Sequence, residues 1–136
     1  MNRRIVLKYR LLLLLLLSVF SSCQKADDNG DLGGFWKLME VEYAAGGEKR
    51  NLKDNNYFMA VQLDLMQFRG EAGWYYARFS HQGDSLFVWM IGDDVPSSLL
   101  EAYAMNGAEQ RFFVETLNGK KLILRSDFSR LRFKKF

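Results

Sequence analysis

An all-β fold is what the chain predicts: a small antiparallel meander of seven to eight strands that closes as a barrel or, alternatively, folds over as a β-sandwich, with one short helix near residues 98–106. Three observations carry this. From Gly34 onward, short runs of alternating apolar and polar residues are separated by Gly, Asn and Asp turns at near-regular spacing, the pattern of small barrels and sandwiches. The chain beyond residue 22 holds ten Phe, five Tyr and three Trp, side chains that suit a pleated surface better than a helix and bury large areas. A single stretch, Ser98-Leu99-Leu100-Glu101, carries a helix start signal.

The N-terminal residues obey a different pattern. Cationic Arg3, Arg4, Lys8 and Arg10 precede an apolar run from Leu11 to Leu17, extended by Val19 and Phe20, and polar Gln24-Lys25-Ala26-Asp27-Asp28 follows Cys23. A membrane-spanning helix needs about 20 apolar residues, so this shorter run reads as the apolar core of an export signal. Residues 1–22 are therefore expected to be removed as a signal peptide, residues 23–33 to form a flexible tether, and residues 34–136 to fold as one domain. Of the 136 residues, 114 lie beyond position 22, enough for one domain and too few for two. Four of the 19 basic residues and none of the 16 acidic ones fall in the signal. The remainder is nearly neutral, which removes the argument for nucleic-acid binding that a basic chain would invite.

Phe35 to Tyr43 is the first expected strand, and Gly46-Gly47 ends it because glycine takes the positive φ of a turn without strain. Lys49 to Asn56 is a polar connection, with room for a short eighth strand near Glu48 to Leu52. Tyr57 to Phe68 reads as one strand, with Tyr57, Met59, Val61, Leu63 and Leu65 on one face. Arg69-Gly70-Glu71 turns the chain into Gly73 to Ser80, His81 to Asp84 turns it again, and Leu86 to Ile91 is apolar on both faces. Ser98 and Glu101 have capping-box spacing, Gly107 is placed to supply a left-handed C-terminal residue, and so short a helix has to pack on the sheet. Gln110 to Leu117 and Lys120 to Arg125 flank Asn118-Gly119, a hairpin signal because both positions accept φ > 0. In Arg130 to Lys135, Leu131 and Phe133 alternate with Arg130, Arg132 and Lys134. That basic face reads as a solvated one that also guards a sheet edge.

Equipment for catalysis is sparse. His81 is the only histidine and Cys23 the only cysteine, so no disulfide, thiolate nucleophile or cysteine metal site is available to the domain, and no zinc site is expected. Asp93-Asp94 with Asp84 or Glu101 would bring carboxylates to one loop, but their spacing matches no calcium loop, and a solvated turn beside a helix start is the simpler reading. Glu40, Glu42, Asp64 and Arg78 gain interest only if their faces point inward, since buried charges demand partners. No cofactor, metal or catalytic residue is expected. Lys120 to Phe136 holds seven basic residues and one acidic one with interleaved aromatics, a composition also found on nucleic-acid and phospholipid surfaces.

Three resemblances extend this reading. Val19-Phe20-Ser21-Ser22-Cys23 resembles the lipobox of bacterial lipoproteins, which implies cleavage before Cys23 and diacylglycerol attachment to its thiol. Gln24-Lys25-Ala26-Asp27-Asp28 resembles the acidic export tag of surface-exposed Bacteroidetes lipoproteins, which implies the outer face of the outer membrane, with the periplasmic leaflet as the alternative. Gly34-Phe35-Trp36 is similar to the Gly-x-Trp motif that opens the first strand of lipocalins, and the mature chain resembles the lipocalin-like domains of Bacteroidetes lipoproteins. The resemblance implies a barrel whose floor is closed by Trp36, with Arg130 or Arg132 over its ring, and a monomeric, non-catalytic protein that binds a small apolar ligand. A role as a protein- or glycan-binding accessory subunit of a cell-surface complex is the alternative.

Overall fold

The computed structural model describes residues 2–20 and 29–136, with side chains from 2–15 and 29–136. The apolar N-terminal run and its basic lead-in form one helix, α1 (Arg3–Phe20). Among the described residues no helix is long and apolar enough to cross a membrane. Cys23 and the acidic tag lie outside the described residues.

A 3-10 turn, Gly30–Leu32, leads into nine strands: β1 (Gly34–Tyr43), β2 (Arg50–Asn51), β3 (Phe58–Gln62), β4 (Leu65–Gly70), β5 (Gly73–Gln82), β6 (Ser85–Met90), β7 (Glu109–Leu117), β8 (Lys121–Arg125) and β9 (Ser129–Lys135). The short helix α2 (Ser97–Ala102) lies between β6 and β7. Consecutive strands pair from β3 through β9, and β1 pairs with both β3 and β9. Eight strands thus close an antiparallel barrel, and β2 adds a short flap to β1 through Glu40↔Asn51 and Val41↔Arg50. This is the expected barrel, and the sandwich alternative is excluded by the β1–β9 seam, in which Trp36 faces Lys135 and Tyr43 faces Ser129.

Alternation decides what is inside. Trp36, Leu38 and Val41 from β1, Leu86 and Val88 from β6, and Leu131 and Phe133 from β9 are almost fully buried, each contributing about 1.5–3 kcal/mol relative to an exposed position. The β1 series shifts parity at a bulge between Leu38 and Glu40, which re-aims the inward face as the strand bends.

Six local expectations are corrected. Tyr57 to Phe68 is two strands, β3 and β4, joined by a tight turn at Leu63-Asp64 with Gln62 facing Leu65. Leu63 takes φ +54 and stands exposed at the tip, so the chain turns without glycine. The helix start is not a capping box, because Pro96 is the N-cap, no side chain bonds there, and Ser98 is already helical. Ala104, not Gly107, supplies the left-handed residue at φ +46. Asn118-Gly119 does form a hairpin, but neither residue has positive φ; instead Asn118 Oδ1 accepts from the backbone N–H groups of Lys120 and Lys121, both at 2.9 Å. His81 belongs to β5 opposite Leu86, and the turn is narrowed to Gly83-Asp84. Finally, β9 has a partner on each side, so its basic residues guard no edge.

Candidate functional site

The ends of the barrel hold its polar construction. At one end Leu32 enters the interior and accepts, through its carbonyl, a 2.8 Å hydrogen bond from Trp36 Nε1. Both side chains are wholly buried. Lys135 Nζ sits 4.8 Å from the Trp36 ring centroid and donates to Asp31 O at 3.0 Å and Gly33 O at 2.5 Å. Gly34 has φ +123, and a Cβ there would lie 2.7 Å from Lys135 Cε. Glycine is thus required twice, by the backbone and by the lysine passing over it.

Arg130 and Arg132 do not reach Trp36. They share β9 with Leu131 and Phe133 but have the opposite parity, so they point outward: Arg130 donates to Glu115 Oε2 at 2.6 and 2.9 Å, and Arg132 lies 3.8 Å from Glu40. Lys135 was missed, although the parity of Leu131, Phe133 and Lys135 places it on the inward face. Glu40 and Glu42 likewise face outward, toward Lys49 and the arginines, and Arg78 pairs with Asp64 on the surface. None is a buried charge.

At the other end α2 lies over the mouth, held by three polar ties. Tyr103 is wholly buried, with its one hydroxyl proton between Phe58 O at 2.8 Å and Arg69 O at 2.6 Å. Burial pushes its phenol above the usual tyrosine range, and the two carbonyls offset that only in part. Ser129 Oγ donates to Ala104 O at 2.7 Å, and Arg50 Nη1 donates to Glu101 O and to Tyr43 Oη, each at 3.0 Å. Tyr57 and Phe68 pack edge-on to the Tyr103 ring, with centroids 5.8 and 4.9 Å away.

Between α2 and the β4–β5 turn lies a cleft of about 150 Å³, lined by Tyr57, Gly70, Tyr75, Pro96, Leu99 and Ala102. Gly70 shapes it, since a Cβ there would stand 3.1 Å from the Tyr75 ring and 3.2 Å from Leu99 Cδ1. An outer groove of about 490 Å³ adjoins it, edged by Tyr43, Arg50, Glu71 and Glu101. The deep interior is occupied by the barrel's own side chains. A wider depression of about 900 Å³, lined by Asp84, Arg111, Phe113 and Arg125, lies on the outer wall and is open to solvent. The carboxylates considered for chemistry are not gathered: Asp84 is in the β5–β6 turn, at the opposite end of β6 from Asp93-Asp94. Among the described residues no three His, Cys, Asp or Glu side chains are grouped to hold a metal ion.

The model of a lipocalin-like domain family matches residues 16–136. Two solved structures share the fold. A lipocalin-like protein from Bacteroides uniformis is 22% identical, with a TM-score of 0.65 over 79% of this chain and 100% of its own. An uncharacterized protein from Bacteroides eggerthii is 20% identical, with a TM-score of 0.57 over 76% of this chain and 98% of its own. No curated protein matches the chain.

Proposed function

The chain belongs to the lipocalin-like domain family, and from that premise we propose that it is a monomeric, membrane-anchored binding protein that takes a small, mainly apolar ligand at the mouth beneath α2. The observation that carries the reading is the cleft between α2 and the β4–β5 turn, apolar where Tyr57, Tyr75 and Leu99 line it and polar at its Arg50 and Glu71 rim. That combination of apolar walls and a few polar groups suits small-molecule recognition. Its volume is close to that of a cavity that takes benzene, about 150 Å³. A ligand of one ring or a short branched chain enters as the cleft stands, and anything larger requires α2 to lift.

The role is one of binding. The exposed Asp93 and Asp94, the distant Asp84 and the single histidine supply no nucleophile with a base in reach. Anchoring rests on the sequence around Cys23: thiol-linked acyl chains would add about 0.8 kcal/mol per buried CH₂ and hold the domain on the outer membrane, on its outer face if the Gln24 to Asp28 tag is read by export, otherwise on the periplasmic leaflet. Mass spectrometry of the mature N-terminus tests this, and an unmodified Cys23 refutes it.

Titration of the full chain with an apolar fluorescent probe, with Gly70→Val as the plugged variant, tests the cleft. Saturable binding that Gly70→Val abolishes while Tm stays near wild type is expected. Equal binding by both would place the ligand elsewhere. The accessory-subunit reading draws on exposed Trp74, Tyr76 and Phe113 on the outer wall, where Arg111 also covers Phe87 at 4.3 Å; such patches suit a protein or glycan.

A further inference from the structure

The basic C-terminal segment divides into two halves. Toward the mouth, Arg130 and Arg132 are neutralised by Glu115, Glu42 and Glu40. Toward the floor, Lys120, Lys121 and Lys134 are exposed, and among the described residues no carboxylate comes within ion-pairing distance of them. Register sets three lysines side by side on the outer wall, since Lys134 faces Lys121 on β8 and Lys37 on β1. Like charges directly opposite on neighbouring strands destabilise a sheet, and this row stands on strands with no free edge to guard. Its fourth position is aromatic, because Lys37 faces Phe58 on β3.

Phe58 belongs to a cluster on the same wall. Its ring stacks on Phe35 at 5.1 Å and meets Phe136 edge-on at 5.4 Å, while Trp74 lies 6.1 Å from Phe35. Phe136 is 80% exposed. Phe35 and Phe136 sit at the floor end, where Phe136 N donates to Phe35 O and where the chain arrives through Asn29 to Gly33, and the cluster climbs the wall from there through Phe58 to Trp74 beside the β4–β5 turn. Beside the lysines is a groove of about 260 Å³ lined by Lys120, Lys121, Arg132 and Lys134, with room for a phosphate-bearing headgroup.

We propose that the Lys37, Lys134, Lys121 row and the adjoining Phe35, Phe58, Phe136 cluster form a docking face for the anionic headgroup layer of a lipid bilayer. Lysines draw the face to phosphate, and exposed Phe136 enters the acyl boundary, the division of labour of interfacial anchors. The inference rests on the anchored reading for its geometry: the six steps from Cys23 to Asn29 span at most about 20 Å, which keeps the floor end within reach of the membrane.

The full acylated chain, carrying Trp89→Phe so that Trp74 is the exposed reporter, is reconstituted into vesicles with brominated acyl chains. One set is phosphatidylcholine alone, and a second contains about one-third phosphatidylglycerol. Trp74 emission is expected to be quenched roughly twofold more in the anionic vesicles, with the difference lost at high salt and in Lys121→Glu/Lys134→Glu. Equal quenching in both compositions, or in both variants, overturns the docking face even when the chain floats with every vesicle. If mass spectrometry shows Cys23 unmodified, the anchor is refuted; flotation of that unacylated chain with anionic vesicles only would still support the face, and flotation with neither composition overturns it. Preference for nucleic acid over anionic vesicles in competition would also overturn the proposal.

Discussion

Replacing Tyr103 by Phe removes one oxygen atom from the tie between α2 and the barrel, and the consequence can be worked through. The ring and its contacts with Tyr57 and Phe68 stay, so no cavity opens. What is lost is the only proton offered by that side chain to Phe58 O and Arg69 O. A buried acceptor left without its donor costs about 1–3 kcal/mol. For a domain of about 100 residues, unfolding entropy of roughly 0.2 kcal/mol per kelvin converts that to a fall in Tm of about 5–15 °C. The pH dependence is more specific. Because burial raises the phenol above its unfolded value, the native state holds this proton more tightly than the unfolded chain does. Its contribution is complete below the unfolded pKa of about 10 and is lost as pH rises beyond it, at up to about 1.4 kcal/mol per pH unit. Urea unfolding of wild type and Tyr103→Phe between pH 7 and 11 measures both effects. Wild type should lose stability more steeply above pH 10, so that the two curves converge. A Tm change of less than about 2 °C at pH 7, or parallel curves at high pH, would refute the reasoning.

Further substitutions probe the floor and the turn. In double-mutant cycles with Trp36→Phe, Lys135→Met should couple by about 0.5–2 kcal/mol, whereas Arg130→Ala and Arg132→Ala should show no coupling beyond about 0.3 kcal/mol; chemical denaturation reads all three. Gly34→Ala should cost about 1–3 kcal/mol by the same assay, since it strains a positive φ and displaces Lys135 from the Trp36 ring. Leu63→Gly should instead raise stability by up to about 1 kcal/mol, because relief of a left-handed leucine outweighs the added chain entropy. A lower Tm for that variant would show that exposed Leu63 has a packing role.

The barrel was legible because inward residues recur every second position between turns, and β5, β6, β7 and β9 carry that mark, as does β1 on the near side of its bulge. The β3–β4 hairpin escaped because its turn is Leu63-Asp64, a pair with no glycine or proline. One trace of it was present: inward Met59 and Val61 give way to inward Met66 and Phe68, a parity change that a continuous strand cannot make. The capping box failed for a similar reason, since Pro96 had already set the backbone for helix entry, with the N-cap two residues early. The site was less legible than the fold. Gly34 and Trp36 stood out by motif, but the cation over the indole is Lys135, selected by which face of β9 looks inward. The mouth cleft depends on Gly70 meeting Leu99 across 29 positions of chain, a tertiary coincidence that local pattern does not encode.

The seam between β1 and β9 also orders events in time. Trp36 and Lys135 pair across 99 positions of chain, so a polypeptide emerging from the ribosome can zip β3 to β6 and then β7 to β8 by short hairpins yet cannot close the ring until β9 arrives. Until then β1 and β8 each present an open edge, the hazard that pairing with β9 later abolishes, and closure across so many residues is the slow, entropically costly step. Loss of even the final strand would therefore convert a sealed cylinder into a sheet with two adhesive borders.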